Sequence, residues 1–258
     1  MKTLRSRLAA ALLAASALIP MSAPAFAQTP DGEIVVTARL REEAAKDVPV
    51  SISTYNPEEL AVATAGGADL TFQAARTPSV NVESSFGRTF PRAYIRGLGN
   101  TDFDPNTSQP VSIVLDDVVQ ENALLRGFPL FDTAQVEVLR GPQGTLFGRN
   151  TPAGVIKFNS ARPGAGAANY AKVEVRNLGG ISAEGAADVV FDPSFSMRVS
   201  AMINTQDDWV DNKAPGAIAQ LGGYTDQALR VQMRYAPSSD FDASLNLHVR
   251  DFDGSGQW

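Results

Sequence analysis

The chain has 258 residues, 44% of them hydrophobic and 19% charged, with a formal net charge of −6; it is too apolar for a disordered chain and, lacking a basic cluster, a poor surface for nucleic acid. It has no cysteine and a single histidine, His248. Disulfides, thiolate zinc sites and cysteine nucleophiles are excluded, and any histidine chemistry would have to pass through one residue.

The first predicted element is an export signal. Lys2, Arg5 and Arg7 precede the small and apolar run Leu8–Ile19, and Ala25-Phe26-Ala27 supplies a small-x-small cleavage site, so residues 1–27 are expected to be removed. That removal takes the charge from −6 to −9. Beyond Gln28 no run approaches the roughly 20 apolar residues of a membrane helix. The mature chain is expected in the periplasm, outside the cell, or in the outer membrane as strands.

Residues 28–45 hold a polar leader and a β-prone island, Glu33-Ile34-Val35-Val36-Thr37-Ala38, followed by a charged patch. Residues 46–165 alternate short apolar runs with Gly, Pro, Asn and Asp clusters, which reads as a small α+β domain. Asn56 is placed as the N-cap of a helix with Pro57 at its first position. Leu70–Arg76 is a second short helix; Val111–Val119 and Val136–Leu139 are strands. Asp102-x-Asp104-x-Asn106-x-Ser108 resembles the start of a calcium loop, but Thr107 and Ile113 stand where glycine and glutamate are needed. It is read as a polar loop, with no metal expected. Gly141, Gly144 and Gly148 do not form a phosphate cradle, because Arg149-Asn150 stands where Gly-Lys-Ser/Thr is required; they are read as packing turns.

From residue 166 to 258 the texture changes. After a Gly164–Asn169 hinge come five runs of strict period-two alternation, for example Phe195, Met197, Val199, Ala201 and Ile203 against Ser196, Arg198, Ser200 and Asn204. Each is near the 9–11 residues of a tilted membrane strand. Asp192-Pro193-Ser194 and Pro237–Ser239 are tight turns, whereas Thr205–Thr225 is a long polar loop. That asymmetry fits an outer-membrane barrel better than a soluble sandwich. His248 falls on the polar face and is read as lumen-facing.

Val136–Thr151 (VEVLRGPQGTLFGRNT) resembles the plug-domain signature of TonB-dependent outer-membrane receptors. Gly154–Phe158, Tyr94-Ile95-Arg96-Gly97 and the strand Val111–Val119 resemble the family's neighbouring motifs in order and spacing. Glu33–Ala38 is similar to a TonB box; taken alone, an ordinary edge strand is the other reading. Two departures stand out: Ala153-Gly154 in place of paired glycines, and Asp116-Asp117 in place of Asp-Gly.

The resemblance implies an α+β plug followed by antiparallel strands of an incomplete outer-membrane β-barrel. It implies energy-coupled uptake of a scarce nutrient such as a siderophore, vitamin B12 or an oligosaccharide, with no catalysis and no cofactor. It makes Glu33, Ile34, Val35, Val36, Thr37 and Ala38 the segment that binds TonB, itself driven by the inner-membrane energy-transducing complex. Arg96, Glu137 and Arg140 become plug–barrel contacts, the arginines facing carboxylates on the wall or, on the other reading, lying at the surface. Gly97, Gly141, Pro142, Gly144, Gly148, Arg149 and Asn150 form the turn signature. Phe86, Arg88 and Phe103 are expected to face a small extracellular ligand, and the outer strand faces to meet outer-membrane lipid. Five strands cannot close a barrel whose plugged forms use about 22, so the chain is expected to be an N-terminal fragment or a truncated product; the carboxylates that would answer Arg96 and Arg140 are then expected in the missing part, leaving both arginines under-paired here. A soluble periplasmic binding domain is the alternative.

Overall fold

The computed structural model describes residues 34–102, 104, 107–213 and 220–254; the export signal, Glu33, Phe103 and the last four residues lie outside them. A two-residue strand β1 (Val35–Val36) pairs antiparallel with β2 (Glu43–Ala44). The first domain is then built on β3 (Ser51–Tyr55), β4 (Val80–Glu83), β5 (Arg92–Ile95), β6 (Val111–Leu115), β7 (Val118–Val119), β8 (Thr133–Arg140) and β9 (Gly154–Ser160). Its main sheet runs β3-β8-β9-β6-β7, antiparallel except where β6 lies parallel to β9. β4 and β5 form a separate hairpin.

Two helices lie beside this sheet. α1 (Pro57–Ala63) starts where expected: Asn56 accepts from the Glu59 amide at 2.8 Å, and Glu59 reaches back to the Asn56 amide at 3.0 Å. This reciprocal cap satisfies two helix-end donors. α2 (Phe72–Arg76) covers most of the second expected helix. Both faces of the sheet are buried. Val136, Val138, Ile156 and Phe158 pack with Leu60, Phe72, Val80 and Ile95 on one face. Leu139 and Val155 pack on the other with Val36, Ala38, Val48, Val114 and Phe147. The residues between them, Glu137 and Lys157, are carried to that second face by period-two alternation.

The glycine-rich segment after β8 contains one turn of helix, α3 (Gly144–Phe147), closed by Gly148 at φ +82°. Gly154 tests the departure from paired glycines. Its φ is +150°, and a Cβ there would collide with the Leu139 carbonyl. Ala153 has no positive φ and donates its amide to Pro110 O at 2.9 Å, so only the second position of the pair requires glycine.

The second half is a meander of β10 (Tyr170–Val175), β11 (Ile181–Asp192), β12 (Phe195–Gln206), β15 (Tyr224–Ser238) and β16 (Phe241–Gly254), every neighbour antiparallel. A small hairpin of β13 (Val210–Asp211) and β14 (Gln220–Leu221) lies within the long loop between β12 and β15. The turn after β11 is held by Asp192, whose Oδ1 accepts from the Ser194 and Phe195 amides at 2.7 and 3.0 Å. The polarity of this sheet is inverted relative to a soluble one. Ser196, Arg198, Ser200 and Asn204 of β12, and Asp226, Arg230 and Gln232 of β15, are buried. Val173, Val175, Phe191, Leu229, Leu245 and Val249 are exposed, Val175 at 76%. Among the described residues no helix is long and apolar enough to cross a membrane.

Asn56→Ala removes the reciprocal cap. It is expected to cost about 1 kcal/mol of first-domain stability, measured by chemical unfolding. An unchanged midpoint would show the cap to be redundant with the packing of Leu60.

Candidate functional site

Residues 34–38 do not hang free. β1 lies over the second face of the main sheet, with Val36 and Ala38 wholly buried and Ile34 and Val35 about half exposed. Between the two buried residues, Thr37 enters a polar knot. Its amide and its hydroxyl both donate to Glu137 Oε1, at 2.8 and 2.9 Å. Lys157 Nζ donates to Thr37 O at 3.0 Å and to its Oγ1 at 2.7 Å. Asn159 Nδ2 donates to Thr37 Oγ1 at 3.1 Å and to Glu137 Oε1 at 3.0 Å. Gln135 Nε2 adds a bond to Val35 O at 2.8 Å.

Glu137 and Lys157 are opposite one another in register on β8 and β9, and both are almost fully buried. A buried charge must be paired or hydrogen-bonded, and here part of that requirement is met by the backbone and hydroxyl of Thr37. Hydrogen bonds to charged groups contribute roughly 1.5–3 kcal/mol each and a buried valine about as much. Pulling this segment off the sheet therefore costs on the order of 5 kcal/mol.

The contact between the two halves has its own centre at Asp132, which precedes β8 in a left-handed conformation (φ +49°). Arg198 of β12 grips its carboxylate with two bonds, Nε to Oδ2 at 2.9 Å and Nη2 to Oδ1 at 2.6 Å, and both side chains are at most 2% exposed. Arg230 of β15 donates to the Phe131 and Asp132 carbonyls at 2.9 Å each and lies 3.6 Å from Oδ2. Its guanidinium stacks over the Phe131 ring at 4.6 Å. His248, opposite Arg230 on β16, meets the same ring at 5.8 Å. Further along, Arg250 forms a two-bond pair with Asp226, both bonds at 2.8 Å, and also reaches Gly127 O.

Glu137 alternates with Val136 and Val138, which places it on the face covered by residues 34–38. Arg140 donates to Ser53 Oγ and Pro78 O, at 2.9 and 3.0 Å, inside the first domain. Burial, and secondarily Arg96, push its guanidinium below its ordinary value. Arg96 is exposed at φ +53°. Among the described residues neither arginine meets a carboxylate. The buried ion pair that the described residues do show between the two halves has its carboxylate, Asp132, in the first domain and its arginines, Arg198 and Arg230, on the strands. Arg88 stacks over Tyr224 at 4.5 Å and donates to Gly67 O at 2.8 Å. Phe86 is half exposed, its ring 5.4 Å from Phe90.

The turn signature is largely structural. Gly97 and Gly141 sit at positive φ, and Pro142, Gly144 and Arg149 are exposed. Asn150 is buried, its Nδ2 donating to Glu121 Oε2 at 2.7 Å while its carbonyl accepts from Ser112 Oγ at 2.8 Å. The Asp102 carboxylate accepts from the Asp104 amide at 3.0 Å and from Thr107 Oγ1 at 3.1 Å; Asn106 of the same loop lies outside the described residues. Among the described residues no group of acidic or histidine side chains is arranged to hold a metal.

Residues 44–155 match the family described as TonB-dependent Receptor Plug Domain. The chain is 27% identical over 231 residues to the pesticin receptor of Yersinia pestis, covering 85% of this chain and 32% of that protein. It is 28% identical over 169 residues to the pesticin receptor of Yersinia enterocolitica, covering 62% and 23%. Among solved structures, the ferric yersiniabactin uptake receptor of Yersinia pestis superposes with a TM-score of 0.64 at 26% identity, covering 74% of this chain and 29% of that one. The alcaligin outer-membrane receptor of Bordetella pertussis does so at 0.63 and 16% identity, covering 86% and 36%; at that identity it speaks for the fold alone. The chain spans about a third or less of the length of the curated relatives it matches.

Asp132→Asn keeps the side-chain shape and removes the charge that Arg198 and Arg230 share. Leaving buried arginines uncompensated is expected to cost about 3–5 kcal/mol, read as the unfolding free energy of the purified protein. A loss below about 1 kcal/mol would mean that water already screens the triad.

Proposed function

We propose, for a chain that is a member of the TonB-dependent receptor family by its plug domain over residues 44–155, that it belongs to a machine for energy-coupled uptake of a ferric siderophore across the outer membrane. The inverted polarity of the meander carries the reading. A sheet whose arginines and aspartates are buried while its valines, leucines and phenylalanines face outward is suited to lipid on the outside and a polar plug on the inside. In water the same sheet would leave about 1.5–3 kcal/mol per large side chain unrealised. That weighs against a soluble periplasmic binding domain. The ligand class is supported by the relatives, whose names concern pesticin, ferric yersiniabactin and alcaligin.

In this reading, residues 1–27 are the export signal, 28–45 the coupling segment and its linker, 46–165 the plug, and 166–258 wall strands. The segment Glu33–Ala38 is what TonB grasps. Its half-exposed Ile34 and Val35 offer a short strand edge on which a partner strand can pair through main-chain bonds. The Thr37 knot holds the rest of the segment down. Ligand arrives from the outer side, the knot loosens, and force applied to the segment displaces the plug. No bond in the ligand is made or broken, so the machine needs binding and motion and no catalytic group.

Two outcomes test this. Val35→Pro removes a main-chain donor at an exposed position; energised uptake of a ferric siderophore by cells is expected to fall at least about 10-fold while binding of the same complex to isolated membranes is unchanged. Uptake equal to that of the parent would sink the coupling role. Separately, Val199→Arg on the outward face is expected to destabilise the membrane-inserted protein by about 2–4 kcal/mol; if it is silent, and the protein extracts without detergent, the soluble reading wins.

A further inference from the structure

We propose that the turn Asp116-Asp117 positions the lysine that holds the coupling segment and ties that lysine to the wall; this rests on reading residues 34–38 as that segment. The turn joins β6 to β7, and both residues are left-handed, at φ +48° and +67°. Two such residues in succession form the hairpin geometry in which glycine is the easy choice for the second place. A residue with a Cβ there is kept against the backbone's preference, so what its side chain touches is informative.

Asp117 touches Lys157. Its Oδ1 lies 2.7 Å from Nζ. A lysine ammonium has three donors, and all three are spent here: one on Asp117, one on Thr37 O and one on Thr37 Oγ1. Asp117 supplies the ion pair of a lysine that is 1% exposed, and so aims its other two donors at the segment. Asp116 in turn fastens the hairpin. Its Oδ1 accepts from the Ser160 amide at 2.7 Å, and its Oδ2 accepts from Ser160 Oγ at 2.9 Å and from Asn246 Nδ2 of β16 at 2.7 Å. An unbroken run of contacts therefore leads from the wall at Asn246, through Asp116, Asp117 and Lys157, to Thr37. Asp117 is itself about half exposed, so water competes for its carboxylate. The hold is adjustable: a shift of the wall strand is felt at Thr37.

These 258 residues hold no cysteine, so in a background with any cysteine elsewhere in the protein replaced by serine, one introduced thiol reports one position. In the full-length protein in outer-membrane vesicles, Val36→Cys places a thiol under the knot and Ile34→Cys a control outside it. Labelling by a membrane-impermeant, water-soluble thiol reagent in opened vesicles needs neither TonB nor ligand, so it is independent of whether uptake occurs. Asp117→Asn and Asp117→Gly, the second of which relaxes the backbone, are each expected to raise labelling at position 36 by about 3–5-fold, as loss of one partly exposed ion pair allows. Labelling at position 34 should stay constant, Asp117→Glu should restore protection, and Asn246→Ala should move position 36 in the same direction by a smaller factor. Unchanged labelling at 36 in both Asp117 variants overturns the proposal. So does a rise at 34 and 36 together, which would report general loosening of the domain rather than release of Lys157.

Discussion

Charges on the inner face of the meander must be answered by the domain that fills it. Arg198 and Arg230 point inward because period-two alternation leaves them no other side while Met197, Val199, Leu229 and Val231 point outward. Each guanidinium would be costly to bury alone. Asp132 answers both, and the backbone carbonyls of Phe131, Asp132, Ala167 and Ala168 take further donors. The position is well chosen mechanically: Asp132 lies at the entrance to β8, the strand next to the centre of the main sheet. A single left-handed residue thus ties the first domain to two strands of the second, and the remaining contacts, Arg250 with Gly127 and Arg88 with Tyr224, are arranged around that anchor.

A second buried polar group lies further along the same strand, at Glu137, and its balance is different. The Asp132 pair is bidentate and nearly water-free, so it resists separation. The Thr37 knot is composite: one carboxylate, one ammonium and one amide side chain are partly satisfied by a segment that is only five residues long and half exposed. Among the described residues Glu137 Oε2 has no hydrogen-bond partner. Such a knot is stable while the segment is in place and has a clear cost when it leaves. β8 links the two centres, with Asp132 at its entrance and Glu137 within it.

Several features were legible before the structure because they depend on near neighbours. The Asn56 cap with Pro57 is written in four consecutive residues. The strands of the meander follow from alternation, and the first tight turn from Asp192-Pro193-Ser194; the second, expected at Pro237–Ser239, lies at Ser239-Asp240 because β15 runs on to Ser238. The glycine turns of 141–148 follow from φ angles that side chains disfavour. What escaped were partners far apart in sequence. Lys157 stands in an apolar strand between Ile156 and Phe158, a signal of a buried charge with a counterpart, but nothing local says that the counterpart is Thr37 or Asp117. Arg198 and Arg230 were visible as inward charges, yet Asp132 was not distinguishable from other turn aspartates. Within the described residues Arg140 bonds inside the first domain and Arg96 is exposed, and strands that could answer them from further along a barrel are not among these residues.

By itself, then, the sequence determined the chain's two textures, its family signature, its strand periodicity and the inside-out polarity of the meander, because each of these is set by residue order over a few to a dozen positions. Only the tertiary structure decided that Asp132 answers Arg198 and Arg230, that Glu137 turns toward residues 34–38, and that Val36 and Ala38 are buried. Those outcomes depend on which face of β8 each residue occupies and on what lies across it. That pairing is fixed only when strands distant in sequence are brought into register and their buried charges must find one another.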